Sequence, residues 1–224
     1  MTKSKTVFVC QNCGAESPKW IGRCPSCKEW NTYHEEIIAP LSSRELSFVS
    51  GQEKRNPELL DNIKADEKNR QKTGSSELDR ILGGGMVSGS LILLGGEPGV
   101  GKSTLALQLA LALKQTVILY VSGEESEEQI SLRAQRLKNT NPLCYILSET
   151  ILENILAHSE NLKPGLIIID SIQTISTGLL ESSAGSVSQV RECAAQLLKY
   201  SKITGIPVVL IGHITKDGTL AGPK

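Results

Sequence analysis

The feature that most constrains this chain is a glycine-rich stretch that follows an apolar run, LILLGGEPGVGKST at Leu91–Thr104. Its GxxxxGK[ST] spacing, after a predicted strand and before a predicted helix, is that of a phosphate-binding loop. Glycines let backbone amides approach phosphate oxygens, and the following helix adds the positive end of its dipole. We therefore predict that a nucleoside triphosphate binds to the loop residues, which are Gly96, Glu97, Pro98, Gly99, Val100, Gly101, Lys102, Ser103 and Thr104.

Two side chains of this loop have distinct predicted roles. The Lys102 ammonium reaches the β- and γ-phosphates, and the Ser103 hydroxyl is a ligand for Mg²⁺. A second magnesium ligand is predicted at Asp170, which closes the apolar run Leu166–Ile169 and so ends a buried strand beside the loop. A carboxylate in this position is the Walker B pattern. ATP and Mg²⁺ are accordingly the expected ligands.

Carboxylates after another strand supply the candidate catalytic base. Glu124 and Glu125 follow the predicted strand Thr116–Ser122 at its carboxyl end, where catalytic groups of α/β sheets collect. A carboxylate there can orient the water that attacks the γ-phosphate, or it can complement a helix dipole. We expect Glu124 to be catalytic and Glu125 to cap the helix. His213, which ends the strand Pro207–His213, is either a γ-phosphate sensor or a polar strand cap.

Four of the six cysteines form the pattern C-x₂-C-x₁₀-C-x₂-C, at Cys10, Cys13, Cys24 and Cys27. Two such pairs complete a tetrahedral Zn²⁺ site. Because all four positions are cysteines, no coordination position is open, and the zinc is expected to be structural rather than catalytic. The segment has so few apolar residues that its folding should depend on the metal.

Other residues near the cysteines leave alternatives open. Trp20 and Trp30 are expected to cover the small metal core, although both could instead contact DNA or the larger domain. His34 is expected to be solvated, because four thiolates already satisfy the ion. The remaining cysteines, Cys144 and Cys193, lie in apolar stretches and are interpreted as small core residues rather than reactive thiols.

The charge and composition of the chain exclude several classes of protein. Its 24 basic and 24 acidic residues cancel, so any nucleic-acid contact must come from local loops. Aromatic residues make up 4%, which disfavours a stacking platform for single strands. No apolar run approaches the length of a membrane span, and Met1–Cys10 lacks the apolar segment of a signal peptide. The expected setting is the reducing cytoplasm.

The chain divides into three predicted parts: a C4 zinc segment at residues 1–34, a linker at 35–72 and an ATPase core at 73–224. Strands and helices alternate in the core, and the strands are continuously apolar, which is typical of a parallel sheet covered on both faces. The predicted fold class is therefore α/β with a small zinc segment. The predicted strands are Ser90–Leu94, Val117–Val121, Leu143–Leu147, Gly165–Asp170 and Val208–His213, and the main helices are Leu105–Leu113, Glu125–Leu137, Ile151–His158 and Ser188–Lys202.

Taken together, the motifs resemble those of the RadA/Sms family of bacterial DNA-repair proteins, relatives of the RecA recombinase. The resemblance covers nearly all of the chain and is carried by these stretches: Lys19–Pro25 (KWIGRCP), Trp30–Thr32 (WNT), Thr73–Gly74, Leu82–Gly85 (LGGG), Gly95–Thr104, Tyr120–Ser126 (YVSGEES), Gly185–Glu192 (GSVSQVRE), His213–Gly218 (HITKDG) and Ala221–Lys224 (AGPK). The combination of the last block with an N-terminal four-cysteine segment is not expected of a generic P-loop ATPase.

This resemblance implies a RecA-like ATPase core that assembles as a homo-oligomeric ring on single-stranded or branched DNA. Such a protein branch-migrates recombination intermediates, with a RecA-type recombinase as a partner. By the same resemblance Glu124 activates water, and His213 takes the place of a glutamine sensor. The segments Gly178–Ser188 and Thr215–Lys224 would face DNA, and the candidate phosphate contacts are Arg191, Lys216 and Lys224.

Family members continue past the position of Lys224, with a Lys-Asn-Arg-Phe-Gly motif and a Lon-protease-like domain. By this resemblance the chain is expected to be a fragment or a shortened gene product. Two other functions remain open from the sequence. One is a nucleotide-dependent DNA-binding scaffold with little turnover, and the other is a KaiC-like regulatory ATPase, against which the zinc segment argues.

Overall fold

A computed structural model describes residues 5–38, 57, 59–62 and 70–213 of the chain. Its strands are β1 (Lys5–Cys10), β2 (Glu16–Ser17), β3 (Tyr33–Ile38), β4 (Arg70–Gln71), β5 (Met86–Val87), β6 (Leu91–Gly96), β7 (Ile118–Ser122), β8 (Cys144–Ser148), β9 (Leu166–Asp170) and β10 (Val208–His213). Its α-helices are α1 (Ser76–Ile81), α2 (Lys102–Ala112), α3 (Glu127–Arg136), α4 (Leu152–Leu162) and α5 (Val187–Thr204). Short 3₁₀ turns lie at Leu60–Asn62 and Ile172–Thr174.

The core is a five-stranded sheet in the order β6–β10–β9–β7–β8. All neighbouring strands in it are parallel. Its register pairs Gly96 with His213, and Ser122 with Asp170. The carboxyl ends of β6, β10, β9 and β7 therefore meet at one edge of the sheet, where ligands of open α/β sheets bind.

Alternate residues of the buried strands face opposite sides of this sheet. On β9, Leu166 and Ile168 belong to one apolar cluster, which also contains residues of α2 and α3. Ile167 and Ile169 belong to the other cluster, with residues of α4 and α5. The predicted α/β class, with a mostly parallel sheet covered on both faces and a four-cysteine segment before it, is confirmed.

Several helix boundaries differ from the predicted ones. Helix α2 begins at Lys102 rather than Leu105, and α4 ends at Leu162 rather than His158. Helix α3 begins at Glu127 rather than at the predicted Glu125, because Ser126 is its N-cap. The Ser126 hydroxyl accepts from the Gln129 amide, and the Gln129 side chain accepts from the Ser126 amide, which together form a capping box. The expectation that Glu125 caps this helix is therefore wrong.

A small antiparallel sheet in the order β2–β1–β3 forms the zinc module, residues 5–38. Its buried cluster contains Cys10, Cys24 and Tyr33. Trp20 and Trp30 are 52% and 66% exposed, so the expectation that they cover the metal core is wrong. Tyr33 takes that place, because β3 turns its ring toward the cysteines: the Tyr33 hydroxyl lies 3.7 Å from Cys24 Sγ.

Strand β3 crosses residue 34, the predicted end of the zinc segment, and β4 precedes residue 73, the predicted start of the core. Most of the predicted linker lies outside the described residues. The short turn at Leu60–Asn62 is within the linker and is described. The three-part division of the chain stays a proposal.

The zinc module contacts the core at the start of α5. Glu36 on β3 is buried, and its Oε1 accepts hydrogen bonds from Gln11 Nε2 at 3.3 Å and from Ser188 Oγ at 2.5 Å. Gly14 has a φ of 69°, and a side chain there would collide with the guanidinium of Arg191. Because the exposed Arg191 side chain could move aside, the left-handed φ rather than this close approach favours glycine at the first knuckle.

The Gln189 side chain, on α5, forms hydrogen bonds to the backbone of the preceding loop at residues 177–182. Removing this side chain is expected to make the loop more mobile. The buried Gln189 Oε1 accepts from the Thr177 amide at 3.0 Å. Its Nε2 donates to the carbonyls of Leu180 and Ser182 at 3.0 and 2.9 Å. Gln189→Leu keeps the side-chain volume but leaves these buried backbone groups without hydrogen-bond partners. Each unsatisfied group costs about 1–3 kcal/mol of stability.

We expect Gln189→Leu to lower the free energy of unfolding by roughly 2 kcal/mol or more. Amide hydrogen exchange at residues 177–182 should accelerate, because these backbone groups lose their partner. The control is Gln135→Leu on the exposed side of α3, which should change neither measurement. Equal exchange at residues 177–182 in wild-type protein and Gln189→Leu would contradict the assigned role.

Among the helices of the described residues, none combines the length and the apolar character needed to cross a membrane.

Candidate nucleotide-binding and hydrolysis site

The glycine-rich loop connects β6, which ends at Gly96, to α2, which begins at Lys102. Gly99 and Gly101 have φ values of 81° and 93°, in the left-handed region. A Cβ at either position would meet nothing within 4 Å, so backbone conformation rather than crowding requires glycine there. The buried Lys102 donates from Nζ to the carbonyl oxygens of Gly96 at 2.9 Å and Glu97 at 2.8 Å. These bonds hold the ammonium against the loop.

Asp170 at the end of β9 lies beside the first turn of α2. Ser103 Oγ donates to Asp170 Oδ1 at 3.0 Å, and the Asp170 side chain is buried. Mg²⁺ is usually bound through one or two protein oxygens together with phosphate oxygens and water. A hydroxyl and a carboxylate supplied by two different elements, next to a phosphate-binding loop, fit that ion.

Tyr120 on β7 is a member of the site that the sequence interpretation did not include. Its hydroxyl donates to Asp170 Oδ2 at 2.7 Å. Burial raises the pKa of Tyr120, and the charge and hydrogen bond of Asp170 raise it further, so the phenol stays protonated. The available signal was the Tyr120 hydroxyl within the run Ile118–Val121, whose other residues are aliphatic.

Glu124 lies beyond the end of β7, and hydrogen bonds from the backbone amides of this segment to Ser122 fix its position. Ser122 Oγ accepts from the amides of Glu124 at 3.3 Å and Glu125 at 3.0 Å. Glu124 Oε1 accepts from Ser171 Oγ at 2.5 Å and lies 3.4 Å from His213 Nε2. The structure thus brings Glu124 and His213 together. Ser171 was not predicted, although a hydroxyl directly after Asp170 was a signal.

The adjacent carboxylate, Glu125, has a different partner. It forms an ion pair with Arg133 of α3, and the Arg133 side chain is largely buried. The Glu124 carboxylate therefore lies at the edge of the sheet with Ser171 and His213. The Glu125 carboxylate is instead neutralised by the guanidinium of Arg133. This difference favours Glu124 over Glu125 as the group that contacts water.

The candidate DNA contacts are only partly within the described residues. Arg191 on α5 is exposed and lies against Gly14 of the zinc module. The loop Gly178–Ser188 lies within the described residues, and Gln189 donates hydrogen bonds to the carbonyls of Leu180 and Ser182 in its first half. Lys216 and Lys224, together with the segment Thr215–Lys224, lie outside the described residues.

The four knuckle cysteines converge on one point. Their Sγ atoms all lie within 4.8 Å of one another, with 3.6 Å between Cys10 and Cys27 and 3.6 Å between Cys13 and Cys24. A tetrahedral site with Zn–S bonds of ~2.3 Å places sulfurs ~3.8 Å apart, so the geometry fits zinc. His34 is exposed and does not belong to this group.

The protein environment favours the thiolate form of Cys24 and disfavours that of Cys13, whose pKa burial raises to about 11. Burial opposes its ionisation, but hydrogen bonds from the Cys27 backbone and the Tyr33 hydroxyl outweigh it and lower the pKa to about 6. Away from the zinc module, burial raises the pKa of Cys144 to about 11 and that of Cys193 to about 12. The latter two are therefore thiols at neutral pH, as expected of core residues.

Comparisons with known proteins agree with this arrangement. Residues 55–219 match the protein family described as AAA domain, and residues 8–35 match the family described as rubredoxin metal binding domain. The second match and the four-cysteine geometry support a structural zinc ion.

Among curated relatives, proteins named DNA repair protein RadA are similar to the whole chain. The relative from Bacillus subtilis is 48% identical over 100% of this chain and 50% of its own length. A relative from Streptococcus pyogenes is 48% identical over 100% of this chain and 49% of its own length. A relative from Haemophilus influenzae is 47% identical over 98% of this chain and 49% of its own length. The chain spans about half the length of these relatives. It belongs to the AAA domain family, and the resemblance to the RadA/Sms proteins is confirmed.

Proposed function

We propose that this chain carries the ATP-hydrolysing core of a DNA-repair ATPase. The observation that supports it most strongly is the convergence of Lys102, the Ser103–Asp170 pair and Glu124 at the carboxyl edge of one parallel sheet. A phosphate-binding lysine, a pair of oxygen ligands for Mg²⁺ and a carboxylate that can orient water are the groups that phosphoryl transfer to water requires. The names of the relatives support a role in DNA repair.

Each side chain has one task in this proposal. Lys102 binds the β- and γ-phosphates of ATP, and Ser103 and Asp170 hold Mg²⁺, which neutralises charge that develops on the phosphates. Glu124 orients the attacking water and accepts its proton. His213 responds to the γ-phosphate and acts on Glu124, which lies 3.4 Å from its Nε2.

The proposed DNA interface consists of the loop Gly178–Ser188, the segment Thr215–Lys224 and Arg191. With a formal net charge of zero, the chain needs such local contacts to bind phosphates. We further propose that the cytoplasmic protein acts as a ring on single-stranded or branched DNA, with ATP between subunits, and processes recombination intermediates alongside a RecA-type recombinase. The zinc module has a structural role in this scheme.

The proposal is tested by ATP turnover with and without single-stranded DNA, with Lys102→Ala as the reference. Because the lysine neutralises phosphate charge in the transition state, its loss should lower turnover by on the order of 10²- to 10³-fold. We expect hydrolysis by the wild-type chain to rise when DNA is added. Measurable ATP binding with no hydrolysis above the Lys102→Ala level would instead indicate a nucleotide-dependent scaffold.

A further inference from the structure

The two carboxylate oxygens of Asp170 have different hydroxyl partners. Ser103, in the first turn of α2, donates to Oδ1 at 3.0 Å. Tyr120, in the middle of β7, donates to Oδ2 at 2.7 Å. The carboxylate is thus held on one side by the nucleotide-binding helix and on the other side by the sheet.

These two hydroxyls differ in their freedom to move. Under the proposed function, Ser103 Oγ is a ligand of Mg²⁺, so its bond to Asp170 must exchange when the ion and nucleotide bind. Tyr120 is 0% exposed, and its ring belongs to the same apolar cluster as Ile130 and Ile168. A ring packed in this way cannot swing without opening the core. The Tyr120–Asp170 bond therefore persists while the Ser103 bond changes.

The chemistry of the two groups gives the direction of this bond. A carboxylate has only acceptor oxygens, so the Tyr120 hydroxyl is the donor across the 2.7 Å contact with Asp170 Oδ2. The other oxygen, Oδ1, is left to the Ser103 hydroxyl.

We propose that Tyr120 is a positioning residue for the magnesium site. Its hydroxyl fixes Asp170 Oδ2, and this leaves Oδ1 directed at Ser103 and at the ion that Ser103 would share. The inference rests on the proposed function, since it assigns Tyr120 to the same site. Hydrogen bonds to a metal-binding carboxylate typically contribute about 10- to 100-fold to metal affinity.

The test compares Tyr120→Phe with Tyr200→Phe, since each removes one buried hydroxyl. Tyr200 belongs to the apolar cluster on the other face of the sheet, and its hydroxyl lies 2.8 Å from Ser159 Oγ. Binding of a fluorescent, non-hydrolysable ATP analogue is measured across a Mg²⁺ titration. Mg²⁺ is expected to increase the affinity for the analogue. The Mg²⁺ concentration that gives half of this increase should be about 10-fold higher in Tyr120→Phe than in the wild-type chain. Tyr200→Phe should match the wild-type chain.

A second measurement follows Mn²⁺ directly by electron paramagnetic resonance in the protein–analogue complex. Tyr120→Phe should bind this ion more weakly by a similar factor, while the analogue binds without metal as it does to the wild-type chain. An unchanged Mg²⁺ midpoint in Tyr120→Phe, or an equal shift in Tyr200→Phe, would overturn the assignment. A wild-type chain that binds Mg²⁺ and analogue but never hydrolyses ATP would contradict the proposed function, and the midpoint comparison would still decide the role of Tyr120.

Discussion

Replacing Glu124 with glutamine is expected to lower ATP turnover by on the order of 10²- to 10⁴-fold, which is the usual contribution of a general base. The amide cannot accept a proton from water. Its oxygen can still accept the hydrogen bond that Ser171 Oγ donates to Glu124 Oε1 at 2.5 Å. The shape of the site is therefore conserved, and ATP binding, which the proposed function assigns to Lys102 and Ser103, should be retained.

The neighbouring residue provides a matched control for this experiment. Glu125→Gln makes the same chemical change one position along, but Glu125 forms an ion pair with Arg133. Its loss leaves a largely buried guanidinium without its partner, so the expected effect is on stability rather than on proton transfer. Glu125→Gln should lower the thermal unfolding midpoint and retain most of the turnover of the folded protein.

Steady-state hydrolysis with single-stranded DNA, together with binding of a fluorescent ATP analogue, separates these outcomes. Wild-type turnover in Glu124→Gln would remove Glu124 as the base. An equal fall in both variants would show that the charge of the segment, not one carboxylate, is required. A fall in binding that matches the fall in turnover would place Glu124 in nucleotide binding instead.

The candidate site residues that the sequence alone could suggest are those that lie in short continuous patterns. The loop from Gly96 to Thr104, the carboxylate Asp170 after its apolar run, and the pair Glu124–Glu125 after a strand are all local patterns. Their meeting at one edge follows from the general rule that parallel strands present their carboxyl ends together. The α/β class could be predicted without a structure because strands and helices alternate along the chain and the strands are continuously apolar.

Contacts between side chains of different strands could not be predicted in this way. The bond from Tyr120 to Asp170 depends on β7 lying next to β9, with Ser122 opposite Asp170. Neither the strand order nor the register can be inferred from a local sequence pattern, because the buried strands of this sheet are similarly apolar. The capping residue of α3 was also missed, because Glu125 and Ser126 are both acceptable near a helix start.

Removal of zinc should unfold the zinc module and leave the core folded. The buried cluster around Cys10, Cys24 and Tyr33 is too small to hold the three strands together alone. Zinc binding to a four-cysteine site contributes about 10–16 kcal/mol in zinc-finger peptides. We expect elemental analysis to find about one zinc per chain, since a closed tetrathiolate site holds one ion. Iron in place of zinc would contradict the assignment of the metal.

Intrinsic fluorescence reports this unfolding selectively, because the two tryptophans of the chain, Trp20 and Trp30, both lie in the zinc module. The guanidinium of Arg23 lies 5.6 Å from the centre of the Trp30 ring, a contact that unfolding removes. A chelator should therefore change the emission spectrum, and Cys24→Ser should show the changed spectrum without a chelator. Cys144→Ser, outside the zinc module, should retain the metal and the wild-type spectrum. Because both rings are already more than half exposed, the decisive contrary result is slow amide exchange retained in β1 and β3 of metal-free protein, which would refute a metal-dependent fold.

The effect of zinc removal on the core should be confined to the start of α5. There the buried Glu36 of β3 accepts the 2.5 Å hydrogen bond from Ser188 Oγ, and loss of β3 removes this acceptor. Amide exchange at residues 187–190 should then accelerate. Affinity for Mg²⁺ and ATP should stay the same, because Lys102, Ser103 and Asp170 are held by β6, α2 and β9. A fall in nucleotide affinity on chelation would show instead that the zinc module is coupled to the nucleotide site through α5.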